Sequence, residues 1–546
     1  MQTRGHIQHF RRPRERTFTQ DQRPHTTILL GGLSPRHDRL VAASVRGLGY
    51  RCRALPNVSR ESYEIAREFG NNGFCNPNYF TVGNLVKYVL DREAAGMSRR
   101  EIIDSHVFLT ASSCGTCRFG MYESEYRLAL SNAGFDGFRI LVFGTDDGID
   151  QSTGQKAGLD MNLDFFLGLI NAFNFADVLN QFHYQIRGYE VELGSVDAAT
   201  EDALVHLEHF LETRAPDEPT ASRARGLAGT PLESKVTFLE KILHQLLDDE
   251  GVRAMEAVRH RYDEVELDPF QVKPVVKIIG EFWAQNTEGD GNFNIHRFLE
   301  DEGAEVFVVR ALFTRLMYLL HMHKQAAKDR KGLTDGRSRL GHYYAYYRKR
   351  ALLTLAERIL QRENRRLLEA MGGVQHELAD QYELARLAEP YWNWRTCSGE
   401  SHLEVAENIY YHTHDLCHMV LSVKPFGCMP STQSDGVQIR VVEDHHGMTF
   451  IPIETSGDSE VIAHSRIQMA LGGARQRARK EFADVLDGCR WSLGDMRAYA
   501  ADHPRLRRPS YRIPHTPGVV GRAANLALHV NELLEARPAV ASGGIT

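Results

Sequence analysis

Cysteine is scarce in this chain, eight residues in 546. So thin a supply excludes a fold stapled by disulfides. The first residues lack the apolar core of a signal peptide, so the thiols are expected to stay reduced in a cytoplasmic setting, free to act as ligands. Long apolar runs are missing too: no stretch approaches the roughly 20 residues of a membrane helix, and no membrane partner is expected. Nor is there an excess of positive charge. With 65 basic and 71 acidic residues the net charge is −6, which argues against bulk attraction to nucleic acid. Basic residues do gather in one place, where Arg4, Arg11, Arg12, Arg14, Arg16 and Arg23 mark 1–24 as a basic N-terminal arm. With no aromatic platform beyond Phe10 and Phe18, the arm reads as a solvated extension.

What is present is ordinary globular composition, 42% apolar and 25% charged, over enough length for about three or four domains. The stretch from Ser105 to Gly144 sets the pattern. His106 to Ala111 is a β-branched apolar run of strand length, Cys114 and Cys117 occupy a tight turn, and Tyr122, Tyr126, Leu128 and Ala129 recur at helical spacing. Earlier, TTILLGGL (Thr26 to Leu33) and a helical stripe from Leu40 to Leu48 form a first strand and helix. The Gly31-Gly32 turn lacks a full phosphate-binding fingerprint and reads as tight-turn geometry. Alternating strands and helices through 147 predict a parallel, doubly wound sheet over 25–160, with sites at the carboxyl ends of its strands.

A helical region is expected over 161–267. A second α/β region follows over 268–490, with strands at Val275 to Ile279, Glu305 to Val309 and His418 to Val423, and further strand candidates at VQIRVVED and MTFIPIET. A helical insertion interrupts it over 310–389, where Tyr343, Tyr347, Leu355 and Ile359 fit a core stripe better than a nucleic-acid stacking surface. Residues 491–546 read as a C-terminal helical segment and tail.

Cys52 and Cys489 lie outside turns and read as small hydrophobes. Cys75, Cys114, Cys117 and Cys428 each lie in a Gly- or Pro-bearing turn beside a strand or a helix entrance, where a thiol can point into a crevice. Dithiol exchange would use Cys114 and Cys117 alone. Zinc would best suit His412, His414, Cys417 and His418 with Cys397. An iron-sulfur cluster held from separate loops fits the four turn cysteines best, and three ligands would leave one iron open to substrate. Glu281 and Glu400, each after a glycine, are candidates for proton transfer or polar lining, as are Glu454 and Asp458 in a loop after a strand.

Several segments, GGLSPRH at Gly31 to His37, GFCNPNYFTVGNLVKYVL, SSCGTCRFGMYESEYRLAL, KPFGCMPSTQSDGVQ and IETSGDSEVIAHSRIQM, closely resemble the 2-hydroxyacyl-CoA dehydratase and benzoyl-CoA reductase family. The likeness is to the branch found in large CoA-enzyme activase proteins, related to double-cubane cluster proteins, and it spans most of 25–490. The resemblance implies two Rossmann-like α/β domains with a helical part and an iron-sulfur site in the crevice between them. It implies a 4Fe-4S or double-cubane cluster on Cys75, on Cys114, Cys117 or both, and on Cys428, with Cys397 and Cys417 as further candidates. It also implies an ATP-dependent activator of the actin and sugar-kinase type. This chain has no DxGSxxTK run, so that activator would act in trans.

Dehydratases of this family reduce a CoA thioester to a ketyl radical that expels a hydroxyl, and their relatives are often homo- or hetero-dimers. The expectation is therefore a lyase or low-potential reductase acting on a CoA thioester or other small substrate. An electron carrier or scaffold subunit without catalysis is the first alternative, and a zinc-stabilised α/β protein the second.

Overall fold

The computed structural model describes residues 16–112, 117–143, 156–214, 233–333, 338–374, 376–396, 399–457 and 459–536. The protein is mixed α/β, built around two four-stranded parallel sheets. The first contains β1 (Thr27–Leu30), β2 (Arg51–Ala54), β3 (His106–Ala111) and β4 (Arg139–Phe143) in the order β2-β1-β3-β4. The second contains β5 (Val275–Gly280), β6 (Glu305–Phe307), β7 (Met419–Pro425) and β8 (Phe450–Thr455) in the order β6-β5-β7-β8. These are the same arrangement twice.

Ile28 lies opposite both Cys52 and Val107, and Ile278 lies opposite Leu421. The strands are short and rich in Val, Ile, Leu and Phe because helices cover both faces of a parallel sheet. In each sheet the chain turns outward on one side after the first strand and returns on the other side for the third. That reversal opens a crevice beyond the carboxyl ends of the two central strands.

The helices Leu163–Arg187, Ser195–Thr213 and Glu250–Tyr262 form a layer on the first sheet. The first packs Phe175, Leu179 and Phe182 into a core shared with Ile28, Leu40 and Val107. The far end of the long helix Arg339–Ala370 joins the same core through Leu367 and Ala370. On the second sheet, Ile278, Leu421 and Val423 pack against Ile467 and Leu471 of the helix Glu460–Gly488. No described helix is long and apolar enough to cross a membrane.

Three expectations change. VQIRVVED is not a strand: it lies in the helix Met429–Asp444, with Val441 buried and Val437 packed in the same cluster one turn earlier. The β-branched run imitates a strand, while Pro430 in the first helical turn sets the real start. The expected core stripe of the Arg339–Ala370 helix is largely outside, since Tyr347 and Leu355 are exposed. The described end of the basic arm is packed rather than solvated. Phe18 is buried, Thr19 bridges Ala157, and Arg16 pairs with Asp104 at 2.5 Å.

Candidate functional site

Two turns of nearly the same construction meet where the sheets face each other. In Gly73-Phe74-Cys75-Asn76-Pro77 and in Phe426-Gly427-Cys428-Met429-Pro430, the cysteine is the N-cap and proline stands in the first helical turn. Cys75 has φ −74° and ψ 155° before the helix Asn76–Ala94, and Cys428 has φ −70° and ψ 117° before Met429–Asp444. Proline suits this place because its missing N–H has no helical partner to lose.

The turns touch. The Asn76 amide donates to the Phe426 carbonyl at 3.3 Å. Gly427, at φ +76°, lies so near that a Cβ there would stand 3.6 Å from Cys75 Cα. The Asn76 side chain donates onward to the Gly291 carbonyl and to Thr455 Oγ1, at 3.3 and 3.2 Å, tying the first half of the chain to the second.

Cys117 arrives from β3. It caps the 3-10 turn Arg118–Met121, and its Sγ accepts from the Phe119 amide at 3.5 Å. The next residue, Arg118, donates to the Gly73 carbonyl of the Cys75 turn. Tyr122, at the start of the following helix, lies with its hydroxyl 2.9 Å from Cys75 Sγ. Cys75 and Cys428 are buried and Cys117 is half-buried.

Burial pushes the thiol of Cys117 up to about 12 and raises those of Cys75 and Cys428. The carboxyl of Glu281 pushes all three further. A helix amino end alone favours a thiolate, but dehydration outweighs it here. Left free, these thiols keep their protons at neutral pH, and a bound cationic centre would reverse that.

Glu281 and Glu400, both expected from the sequence, belong to the same place. The Glu281 amide donates to the Val423 carbonyl at 3.0 Å, and its carboxylate caps the helix Phe282–Asn286 by accepting from Ala284 N at 2.8 Å. Burial, and then the nearby Glu400, push Glu281 up to about 8. Glu400 stands at the N-cap of Ser401–Thr413 and pairs with Arg315 at 2.8 Å. That turn leans on the Cys428 turn, with Ser401 Oγ donating to the Pro430 carbonyl at 3.0 Å.

The structure thus gathers Cys75, Cys117, Cys428, Glu281 and Glu400, and it does not gather the other candidates. Cys417 lies before β7 and Cys428 after it, at opposite ends of a seven-residue strand. It packs with Val275, Phe307 and Tyr411. His418 is occupied by the Val275 amide, 3.0 Å from its Nδ1, and His414 is stacked on Tyr410. The proposed zinc group of His412, His414, Cys417 and His418 therefore does not converge. Glu454 lies on β8, not in the loop beyond it, with its side chain exposed. Cys114, Cys397 and Asp458 lie outside the described residues. Among the described residues no three His, Cys, Asp or Glu side chains close on a point that would hold a single metal ion, the three thiols included.

Sequence reasoning missed Tyr122 as a neighbour of Cys75, along with Arg315 and Glu404. The doubled Cys-x-Pro was a usable signal for the paired turns. The others have no local signature, because only the fold brings them in. No protein-family model matches the chain, and no curated protein matches it.

Proposed function

We propose that this chain is an iron-sulfur protein of the 2-hydroxyacyl-CoA dehydratase type, with two Rossmann-like halves. It accepts low-potential electrons from an ATP-dependent activator in trans and reduces a CoA thioester or another small substrate. The observation that carries this reading is the meeting of Cys75, Cys117 and Cys428, from turns as much as 353 residues apart in sequence, beside two carboxyl groups. The donor set suits a cluster better than one ion: three thiols approach from separate turns without closing on a point, and a cubane presents its irons at separate corners. When bound, such a cluster would hold and release a low-potential electron.

The remaining work falls to the chain's own groups. The Tyr122 hydroxyl lies against Cys75 Sγ and would stabilise a thiolate there. Glu281, which keeps its proton at neutral pH, can donate it to a leaving hydroxyl or to a reduced substrate. Glu400, fixed by Arg315, forms a polar wall.

Anaerobic purification followed by iron, sulfide and zinc analysis tests the reading. Iron with matching sulfide is expected, and Cys428→Ala should lower both. Colourless, iron-free protein with one tight zinc would overturn the reading. Unchanged iron in Cys428→Ala would remove that residue from the ligand set.

A further inference from the structure

A cleft of about 600 Å³ lies between the end of the helix Glu250–Tyr262 and the C-terminal segment, and none of its lining residues belongs to the cysteine turns. Sites for small molecules fall in this range of size, roughly 300–1,000 Å³. Its lining is uneven in charge. Arg259 and His260 come from the last turn of the helix, and Arg505 and Arg508 from the segment opposite, while Asp263 and Glu264 are the carboxylates among them.

The walls of this cleft are held in place by the chain itself. Leu506 is buried and anchors the 3-10 turn Pro504–Arg507. Pro509 takes the second place of the tight turn that follows, which closes where the Tyr511 amide donates to the Arg508 carbonyl at 3.0 Å. The Ser510 amide and Oγ donate to the Asp263 carboxylate at 3.1 and 2.7 Å, so the two walls are tied together and that carboxylate is engaged. The arginines nearby are of two kinds. Arg507 pairs with Glu266, and Arg497 meets Asp268 at 3.4 Å. Arg259, Arg505 and Arg508 have no ion-pair partner among the described residues; Arg505 lies 5.9 Å from the centre of the Tyr511 ring. With Asp263 engaged, Glu264 alone is left to oppose three guanidiniums around one space. Like charges set so repel one another until an anion fills the space.

We propose that this cleft binds the diphosphate or triphosphate group of a small molecule, clamped between Arg259 on one wall and Arg505 and Arg508 on the other. The planar fork of a guanidinium matches two oxygens of a phosphate. A single carboxylate offers one charge and two oxygens, which one arginine satisfies; linked phosphates offer enough of both to meet arginines on two walls. The cleft also has room for a nucleoside carried on those phosphates. The site binds and performs no chemistry, and it stands whether or not the redox reading above is right, because it shares no residue with the cysteine crevice.

The test is isothermal titration calorimetry of the full chain in a low-salt, phosphate-free buffer, with orthophosphate, pyrophosphate and ADP as probes. Pyrophosphate and ADP should bind, and orthophosphate should bind at least about tenfold more weakly. Arg505→Ala and Arg508→Ala should each weaken pyrophosphate at least about tenfold, with wild-type circular dichroism, and Arg508→Lys should keep part of the affinity that Arg508→Ala loses. Arg497→Ala, outside the cleft and already facing a carboxylate, should change nothing. ADP tighter than pyrophosphate would assign the site to a nucleotide, and equal affinity would assign it to the phosphates alone; either result supports the proposal. It is overturned by the absence of saturable binding of every probe up to about 1 mM, by binding that survives both alanine variants, by an equal loss in Arg497→Ala, or by orthophosphate binding as tightly as pyrophosphate.

Discussion

In the first sheet, β1 and β3 present Ile28, Leu29, Val107 and Phe108 to the two faces, and all four are buried among apolar neighbours. In the second, the strands at the same places, β5 and β7, carry Lys277, Ser422 and Lys424 on one face and Ile278, Leu421 and Val423 on the other. Strand order and parallel pairing are the same, so topology did not demand the difference. A parallel sheet covered on both sides is expected to be apolar throughout. The first half follows that rule except at its amino edge, where His106 and Arg139 are buried, and its carboxyl side serves as a dry platform for the Cys75 and Cys117 turns. The second half breaks it on the face beneath Glu400, Glu404 and Glu407, and such departures gather where chemistry is done.

Making the second half resemble the first is the strongest way to test this. Lys277→Met leaves the Glu407 carboxylate buried without its counter-charge, so about 3–5 kcal/mol of stability should be lost at pH 8. The loss should shrink toward pH 5, where Glu407 can take a proton. Lys277→Met combined with Glu407→Leu should recover most of it. Urea unfolding at both pH values measures all three proteins. A single variant as stable as wild type at pH 8 would show that the second face is no more demanding than the first.

A smaller effect separates the glycines at the carboxyl end of the first strand of each half, Gly280 as the last residue of β5 and Gly32 just beyond β1. Gly280 has φ +123°, and a Cβ there would strike the Val423 carbonyl oxygen of the adjacent strand. Gly32 has φ +106°, but the nearest atom to its Cβ would be the Thr81 methyl at 3.5 Å. Gly280→Ala should therefore cost about 3 kcal/mol, and Gly32→Ala about 1 kcal/mol from backbone strain alone. Equal midpoints in thermal melts would mean that the second sheet gives way at β7.

The first half was also the more legible in the sequence. His106 to Ala111 stands out as a strand because every position after His106 is apolar or β-branched, with Val107 and Phe108 buried on opposite faces. The second half hides its plan. Lysine at 277 and 424 argues for exposure by residue type, and VQIRVVED imitates a strand although Pro430 begins a helix. At the site, cysteine beside glycine and proline was visible locally, as were Glu281 and Glu400 after their glycines. Glu404 and Glu407 were not, because a glutamate every three or four residues on a helix normally marks its wet side. Only the placement of Ser431, Ser434 and Lys277 around them makes that side the dry one.

Each half also ends its first strand near one dehydrated carboxyl, and these two give the finest comparison. Asp38 accepts from the amides of Gly32 and Leu33 at 3.2 and 3.3 Å, and burial pushes it up to about 7. Glu281 is pushed up to about 8 from an ordinary 4.5. A raised carboxyl means that the folded protein keeps a proton the unfolded chain has released. Stability is then fully present below the ordinary value and falls as pH rises through the folded one. Both groups contribute to a decline from about pH 4.5 to 7, but above 7 Asp38 is largely ionised and Glu281 is not. In protein freed of metal, the fall between pH 7 and 8 should be shared by Glu281 and Glu300, which burial also pushes up to about 8. Glu281→Gln should lessen it, removing about 1 kcal/mol of the change, while Asp38→Asn should leave most of that segment of the curve in place. If Asp38→Asn flattens it instead, the proton at the mouth of the crevice belongs to the first half, and Glu281 loses its place as the donor.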